Sequence, residues 1–221
     1  MCMAPFIQQP IIDWRVLSDA KKGWGDIYGN THPIVLEVGF GKGAFILEQA
    51  RTYPGVNYIG IELMDYPNQD KKYQDKIKSL HTQIRQTDLR NIRLIYNAQA
   101  DIVIPQIFRN EEIKEIFIIF PPPFRKPYPF VLRLFWPRER GGNGFAQVLY
   151  DALAFGGSIH IVTDSIDYAN EIVWNFENNI TGKVITTLSS NIPSSIPDYY
   201  VNDAGNRYHA QRYIHIRKIS L

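Results

Sequence analysis

A single cysteine, Cys2, stands in 221 residues. No disulfide can therefore close within the chain, and a reducing compartment, the cytoplasm, is the natural setting. No uninterrupted apolar run reaches the ~20 residues that a membrane span needs. The first residues, MCMAPFIQQPII, have no basic start, and their prolines interrupt any apolar core, which argues against a secretory signal. Excess charge is scarce too. With 24 Lys and Arg against 22 Asp and Glu, the net charge is +2. So small a balance does not imply nucleic acid by itself, and local clustering must decide the partner. The five histidines (His32, His81, His160, His209 and His215) show no metal-ligand spacing, and no metal is expected. Repeats and low-complexity tracts are missing. What remains is an ordinary globular composition, 45% hydrophobic and 21% charged, long enough for one substantial core.

Short β-rich apolar runs alternate with longer helical ones. Strands are expected at IVLEV (34–38), VNYIGIE (56–62), IRLIYN (92–97), EIFIIF (115–120), SIHIVT (158–163), KVITTLS (183–189) and QRYIHIRK (211–218). Helices are expected at 43–53, at 65–88 as a polar, charge-mixed and mostly exposed stretch, and at 101–108 around Pro105. Two more fall at 144–154, stopping at Gly156-Gly157, and at 164–179 with Asp164 or Ser165 as N-cap. This alternation predicts an α/β, doubly wound, mostly parallel seven-stranded sheet with helices on both faces. One domain is expected over 1–221, with an N-terminal extension to about residue 30. Residues 121–137 and 190–210 are read as irregular.

The first strand runs into EVGFGKG, which places Glu37, Gly39, Gly41 and Gly43 directly before a helix. Glycines permit a tight turn and close approach of a ligand to backbone, and the helix start offers N–H donors. Glu62 ends the second strand, 19 residues past Gly43. An acid there can accept from both hydroxyls of an adenosine ribose. A structural turn is the bland alternative for the glycines alone; strand, helix and spaced acid together describe a pocket for an adenosine-containing cofactor. The spacing G-x-G-x-G, unlike G-x-G-x-x-G, disfavours a nucleotide-dependent oxidoreductase. A carboxylate at Glu37 suits a cationic methionine amine or sulfonium better than a pyrophosphate, which favours S-adenosylmethionine.

The stretch KKGWGDIYGNTHPIVLEVGFGKG, the following YIGIE, FGGSIHIVTD and the basic loop after the fourth strand resemble the bacterial tRNA (guanine-N7)-methyltransferase family. The resemblance covers about residues 21–175. It implies a Rossmann-like class I methyltransferase fold, S-adenosylmethionine as cofactor, and methylation of a guanine in the variable loop of tRNA. It implies further that Glu37 and Glu62 hold the cofactor, and it puts Gln99 where the family usually has an acid near the adenine. Monomer and homodimer both stay open.

After the fourth strand the family pattern is similar to N-F-x-D-P-W-P-K-K-R-H, and this chain reads IFPPPFRKPYP. Phe120 and Pro123 match, and Lys126 falls on a substrate-contacting lysine. Pro122 replaces the aspartate that the family treats as its active-site residue. Proline has no side-chain donor or acceptor, so the resemblance leaves the catalytic residue unassigned and opens an alternative, a non-catalytic or weakly active tRNA-binding relative. Asp164 matches a substrate-binding position, with helix capping as its structural alternative. Ser195 and Asp198 loosely match a tail motif T-x-x-E, with a plain turn as theirs. Arg125, Lys126, Arg133, Arg138 and Arg140 interleave with Phe124, Tyr128, Phe130, Phe135 and Trp136. Such a mixture suits phosphate contact plus base stacking, or else a solvated loop whose aromatics cover the sheet edge.

Overall fold

The computed structural model describes residues 10–20, 23–63, 71–123, 134–135, 144–201 and 205–220. The chain divides into two compact units, Met1–Ile107 and Phe108–Leu221. The first contains α1 (Trp14–Ala20), α2 (Trp24–Tyr28), β1 (Ile34–Val38), α3 (Ala44–Thr52), β2 (Asn57–Ile61), α4 (Lys71–Gln86), β3 (Ile92–Ile95) and α5 (Ala100–Ile107). Its strands lie in the order β3-β2-β1, all parallel, with Glu37 opposite Gly60 and Val38 opposite Ile61. Every residue of the three is buried, as parallel strands covered on both faces require. α4 turns Ile77, Leu80 and Ile84 inward at helical spacing and leaves Lys71, Asp75, Lys78 and Arg85 exposed.

The segment read as an N-terminal extension is part of this unit. Trp24 is buried, and its Nε1 donates to the Ile107 carbonyl at 2.9 Å. The Tyr28 hydroxyl donates to the Tyr58 carbonyl at 2.6 Å, and the Arg93 guanidinium lies 4.7 Å above the Tyr28 ring. Before α1, Ile11 bridges Leu94 in parallel fashion and extends the hydrogen bonding beyond β3.

The second unit contains β4 (Ile113–Ile119), α6 (Phe145–Ala152), β5 (Leu153–Thr163), α7 (Ile166–Asn178), β6 (Lys183–Ser189), β7 (Tyr199–Val201), β8 (Arg207–His209) and β9 (Arg212–Ile219). Its main strands run β4-β5-β9-β6, with β4 and β5 parallel and β9 antiparallel to both neighbours. The fold is the expected α/β class with a mostly parallel sheet of seven strands.

Two local expectations need correction. The helix expected to run to 154 stops at Ala152, and β5 begins at the next residue and passes straight through Gly156-Gly157. Gly156 has φ +69°, and the register against β4 shifts between Ile113 and Glu115, so the glycine pair is a bulge in a strand. A Cβ on Gly157 would press on the carbonyls of Ala154 and Lys114. The stretch 190–210, read as irregular, holds the antiparallel β7–β8 pair. Among the described residues no helix is long and apolar enough to cross a membrane.

One face of β4, β5 and β9 carries a stack of rings. Phe117 lies 4.7 Å from His160, and His160 lies 5.2 Å from His215. His160 Nδ1 is 2.7 Å from the Tyr213 hydroxyl, and His215 Nε2 is 3.0 Å from Ser158 Oγ. Burial, and next the neighbouring His215, push the His160 pKa down from 6.5 to about 4. His160 is therefore neutral when folded but takes a proton when unfolded, so stability falls as pH drops from 6.5 towards 4. The expected loss is on the order of 2 kcal/mol. Chemical denaturation across this window should show it, and His160→Gln should flatten the slope; an equal slope in the variant would assign the effect elsewhere.

Candidate functional site

In the first unit the predicted residues converge on the carboxyl ends of three parallel strands, where α/β sheets hold ligands. After Val38 the chain turns through Gly39, Gly41 and Gly43, all in the left-handed region. The Gly39 N–H donates to the Ile61 carbonyl at 2.7 Å, and the Gly43 N–H to the Phe40 carbonyl at 2.8 Å. At Gly43 glycine is required twice, because φ is +74° and a Cβ would run into Leu80 of α4. A Cβ on Gly39 or Gly41 would meet nothing within 4 Å, so open space lies over the loop.

Glu62 follows β2 and is 8% exposed. Its Oε2 accepts a hydrogen bond from the Gly41 N–H at 2.7 Å and so ties the loop to the second strand. Glu37, on β1, is 5% exposed, and its buried Oε2 has no hydrogen-bond partner among the described residues. Burial first and the Glu62 carboxylate second raise its pKa to about 8, against a smaller opposing hydrogen bond from the Ile46 backbone. At neutral pH Glu37 is protonated, in a place where a cation would ionise it. Gln99 opens α5: its carbonyl accepts from the Val103 N–H at 2.9 Å, and its exposed side chain donates to Asp101 at 3.3 Å. The adjacent Ala98 N–H donates to the Glu62 carbonyl at 3.1 Å, so the Gln99 loop reaches the same end.

Three residues that sequence reasoning passed over brace this loop. Tyr96 meets Phe40 edge-on at 5.1 Å, and its hydroxyl lies 3.1 Å from His81 Nε2 on α4. Burial, then Arg85, lowers the His81 pKa to about 4, which leaves a neutral ring against the tyrosine. The available signal was an aromatic inside the glycine motif and another just past β3.

In the second unit the chain leaves β4 at Phe120, whose φ is +54° and whose N–H donates to the Val162 carbonyl at 2.8 Å. Pro121 is buried and Pro122 exposed. The Phe120 ring lies 4.8 Å from Tyr200, which stacks on Tyr208 at 4.8 Å. Asp164, half-buried, follows β5. Burial, then Asp164, raises the Tyr200 pKa, which places that carboxylate beside the aromatic shelf. The cap of α7 is Ser165, whose Oγ accepts from the Tyr168 N–H at 3.3 Å, so helix capping does not account for Asp164. Ser195 and Asp198 are both exposed, on either side of the buried Ile196. The Asp198 carbonyl accepts from the Ala210 N–H, and the next N–H, of Gln211, reaches the Thr163 carbonyl. Asp198 therefore belongs to the same end of the sheet as Asp164. The clustering of tyrosines at 199, 200 and 208 was the legible sign of this shelf.

Lys126, Arg125, Arg133, Arg138 and Arg140 lie outside the described residues. Phe135, expected among the exposed stacking aromatics, is instead 1% exposed, with its ring 5.4 Å from Phe145 and 5.7 Å from Phe176. Its N–H donates to the Tyr168 hydroxyl and its carbonyl accepts from Asn175. Burial of a large ring outweighs its use as a stacking surface.

The family described as "Putative methyltransferase" matches residues 31–212. A tRNA (guanine-N(7)-)-methyltransferase of Geobacillus sp. (strain WCH70) is 30% identical over 181 residues, 79% of this chain and 71% of that protein. One of Bacillus subtilis (strain 168) is 31% identical over 148 residues, 67% of this chain. The chain spans 62% of the length of the Bacillus relative. Among solved structures, the 30S ribosomal A1408 methyltransferase from an uncultured bacterium shares the fold. It has a TM-score of 0.57 at 16% identity and covers 94% of this chain and 95% of its own.

A raised Glu37 pKa has a sign that can be measured. The folded chain holds a proton that the unfolded chain loses between pH 4.5 and 8, so stability falls as pH rises through that window. Glu37→Gln, which keeps a neutral side chain of the same shape, should remove the slope and be the more stable protein at pH 8, by on the order of 3 kcal/mol. Thermal melts of both proteins at pH 6 and pH 8 check this; parallel curves would mean that Glu37 is ionised throughout.

Proposed function

The chain belongs to the tRNA (guanine-N7)-methyltransferase family, and we propose that it transfers a methyl group from S-adenosylmethionine to N7 of a guanine in the variable loop of tRNA. The observation that carries this reading is the pair of buried carboxyl groups, Glu37 and Glu62, at the three-glycine loop. S-adenosylmethionine supplies an electrophilic methyl group on a sulfonium. Glu37, buried with an unpartnered oxygen, matches the cationic methionine end of such a ligand. Glu62, fixed by Gly41, accepts from the ribose hydroxyls. Gln99 offers a donor and an acceptor for the adenine edge. The open space over Gly39 and Gly41 fits a ligand lying close to backbone. A pyrophosphate would fit poorly beside two carboxyl groups.

N7 of guanine carries an in-plane lone pair and needs no general base. The protein's task is to align the base and to stabilise the positive charge that develops on it. In the second unit Asp164 supplies a carboxylate beside the shelf of Phe120, Tyr200 and Tyr208, on which a base can stack. Ser195 and Asp198 complete the base contacts, and Lys126 with Arg125, Arg133, Arg138 and Arg140 meets phosphates. The protein acts in the cytoplasm, as a monomer or homodimer. Exposed Pro122, whose side chain has no donor or acceptor, favours a second reading, a tRNA-binding protein with weak turnover or none.

Incubation with labelled S-adenosylmethionine and bulk tRNA, followed by mapping of the modified base, separates the two. The proposal expects label at N7 of a variable-loop guanine; tight tRNA binding without product would support the second reading. Pro122→Asp should raise the rate, by less than the ~10²–10³-fold associated with a full transition-state hydrogen bond, because Pro121 and Pro123 still restrain the loop. Robust activity in the unaltered protein, unchanged or reduced by Pro122→Asp, would assign guanine positioning to Asp164 or Asp198.

A further inference from the structure

The helix α4 carries more net charge than the whole chain. Its sequence places Lys71, Lys72, Lys76, Lys78 and Arg85 against one acid, Asp75, while the complete sequence is only +2. The charge is also ordered. Lys71, Lys78 and Arg85 recur at intervals of seven residues, so they share one side of the helix with roughly 10.5 Å between neighbours. All three are exposed, opposite the buried Ile77, Leu80 and Ile84. On the flank towards α3, Lys76 and Gln83 border a groove of about 490 Å³ together with Lys42 and Arg51, and among the described residues the one acid lining it is Glu48. Gly43, in the glycine loop itself, also lines the groove.

Helix stability does not account for this pattern. Supporting ion pairs need both signs at i,i+3 or i,i+4. The pair from Lys78 to Asp75 is 3.9 Å long, with both side chains more than half exposed, which contributes little. A membrane surface does not fit either. A helix lying in that interface gives its apolar face to lipid, and α4 has given its own to the protein core.

We propose that the outer row of α4, with the basic groove beside it, is a phosphate-contacting surface for the sugar–phosphate backbone of the tRNA, additional to the loop after β4. The inference rests on the tRNA reading above. A row of fixed cations on a rigid helix meets several phosphates at once, releases their counterions and contributes affinity without reading sequence.

The test compares tRNA binding at several salt concentrations for three proteins. These are the unaltered chain, a variant with Lys71→Gln, Lys78→Gln and Arg85→Gln, and a charge-keeping variant with Lys71→Arg, Lys78→Arg and Arg85→Lys. At ~0.15 M salt the glutamine variant should bind bulk tRNA at least about tenfold more weakly. Its log–log salt slope should flatten by about 2, at ~0.7–0.9 for each phosphate no longer neutralised. The charge-keeping variant should behave like the unaltered chain, and all three should bind S-adenosylmethionine alike. If the glutamine variant fails to bind S-adenosylmethionine, the three single substitutions decide, each expected to flatten the slope by ~0.7–0.9. Unchanged affinity and slope in the glutamine variant overturn this inference and leave the proposed function standing. Failure of the unaltered chain to bind tRNA overturns both, and its binding to phosphatidylserine vesicles instead would assign the row to a membrane surface.

Discussion

Two carboxyl groups, of which Glu62 disfavours charge on the more deeply buried Glu37, stand at one glycine loop, and much of the first unit is arranged around holding them there. Glu62 meets the Gly41 N–H at 2.7 Å, and that hydrogen bond fixes the loop to the end of β2. Glu37 enters from β1, in register with Gly60, where a side chain would collide with Phe40 of the loop. Phe40 in turn touches Tyr96 beyond β3, and Tyr96 meets His81 of α4. Leu80 of the same helix fills the space that a side chain on Gly43 would need. Four elements thus share one anchoring point. The cost is a buried carboxyl group that stays protonated at neutral pH, a state suited to receive positive charge and poorly suited to a purely structural role.

Guanine N7 makes modest demands on a catalyst, which is why the loss of an aspartate at Pro122 leaves room for turnover. No proton has to be removed before attack, so geometry and charge stabilisation carry the reaction. Asp164 and the shelf of Phe120, Tyr200 and Tyr208 supply a carboxylate and stacking surface of the needed kind within one unit. Phe120 reaches that shelf only by taking a positive φ, a conformation uncommon for a bulky residue and found where the surroundings enforce it.

Much of this was legible in the sequence where local pattern and tertiary role agree. IVLEV reads as a strand from its β-rich apolar run, and all five of its residues are buried; the glycines of the motif read as a tight turn, and their positive φ values require one. Reading failed where the deciding contact lies far along the chain. Trp24 gains its place from a carbonyl 83 residues away, a contact that local pattern does not show. Gly156-Gly157 looked like a helix stop, because only the register shift in β4 reveals a bulge. Phe135 sits among basic residues in sequence but among Phe145 and Phe176 in space. Tyr200 and Tyr208 belong to strands of three residues, too short for alternation to show.

The central claim is that Glu37 waits protonated for a cationic ligand, and proton linkage tests it most directly. S-adenosylmethionine binding should be followed by calorimetry at pH 7 in buffers of different ionisation enthalpy. The unaltered chain should release close to one proton per ligand bound, since a group with a pKa of about 8 is mostly protonated there and ionises beside the new charge. Glu37→Gln should release close to none. Binding heats that do not depend on buffer in the unaltered chain would contradict it.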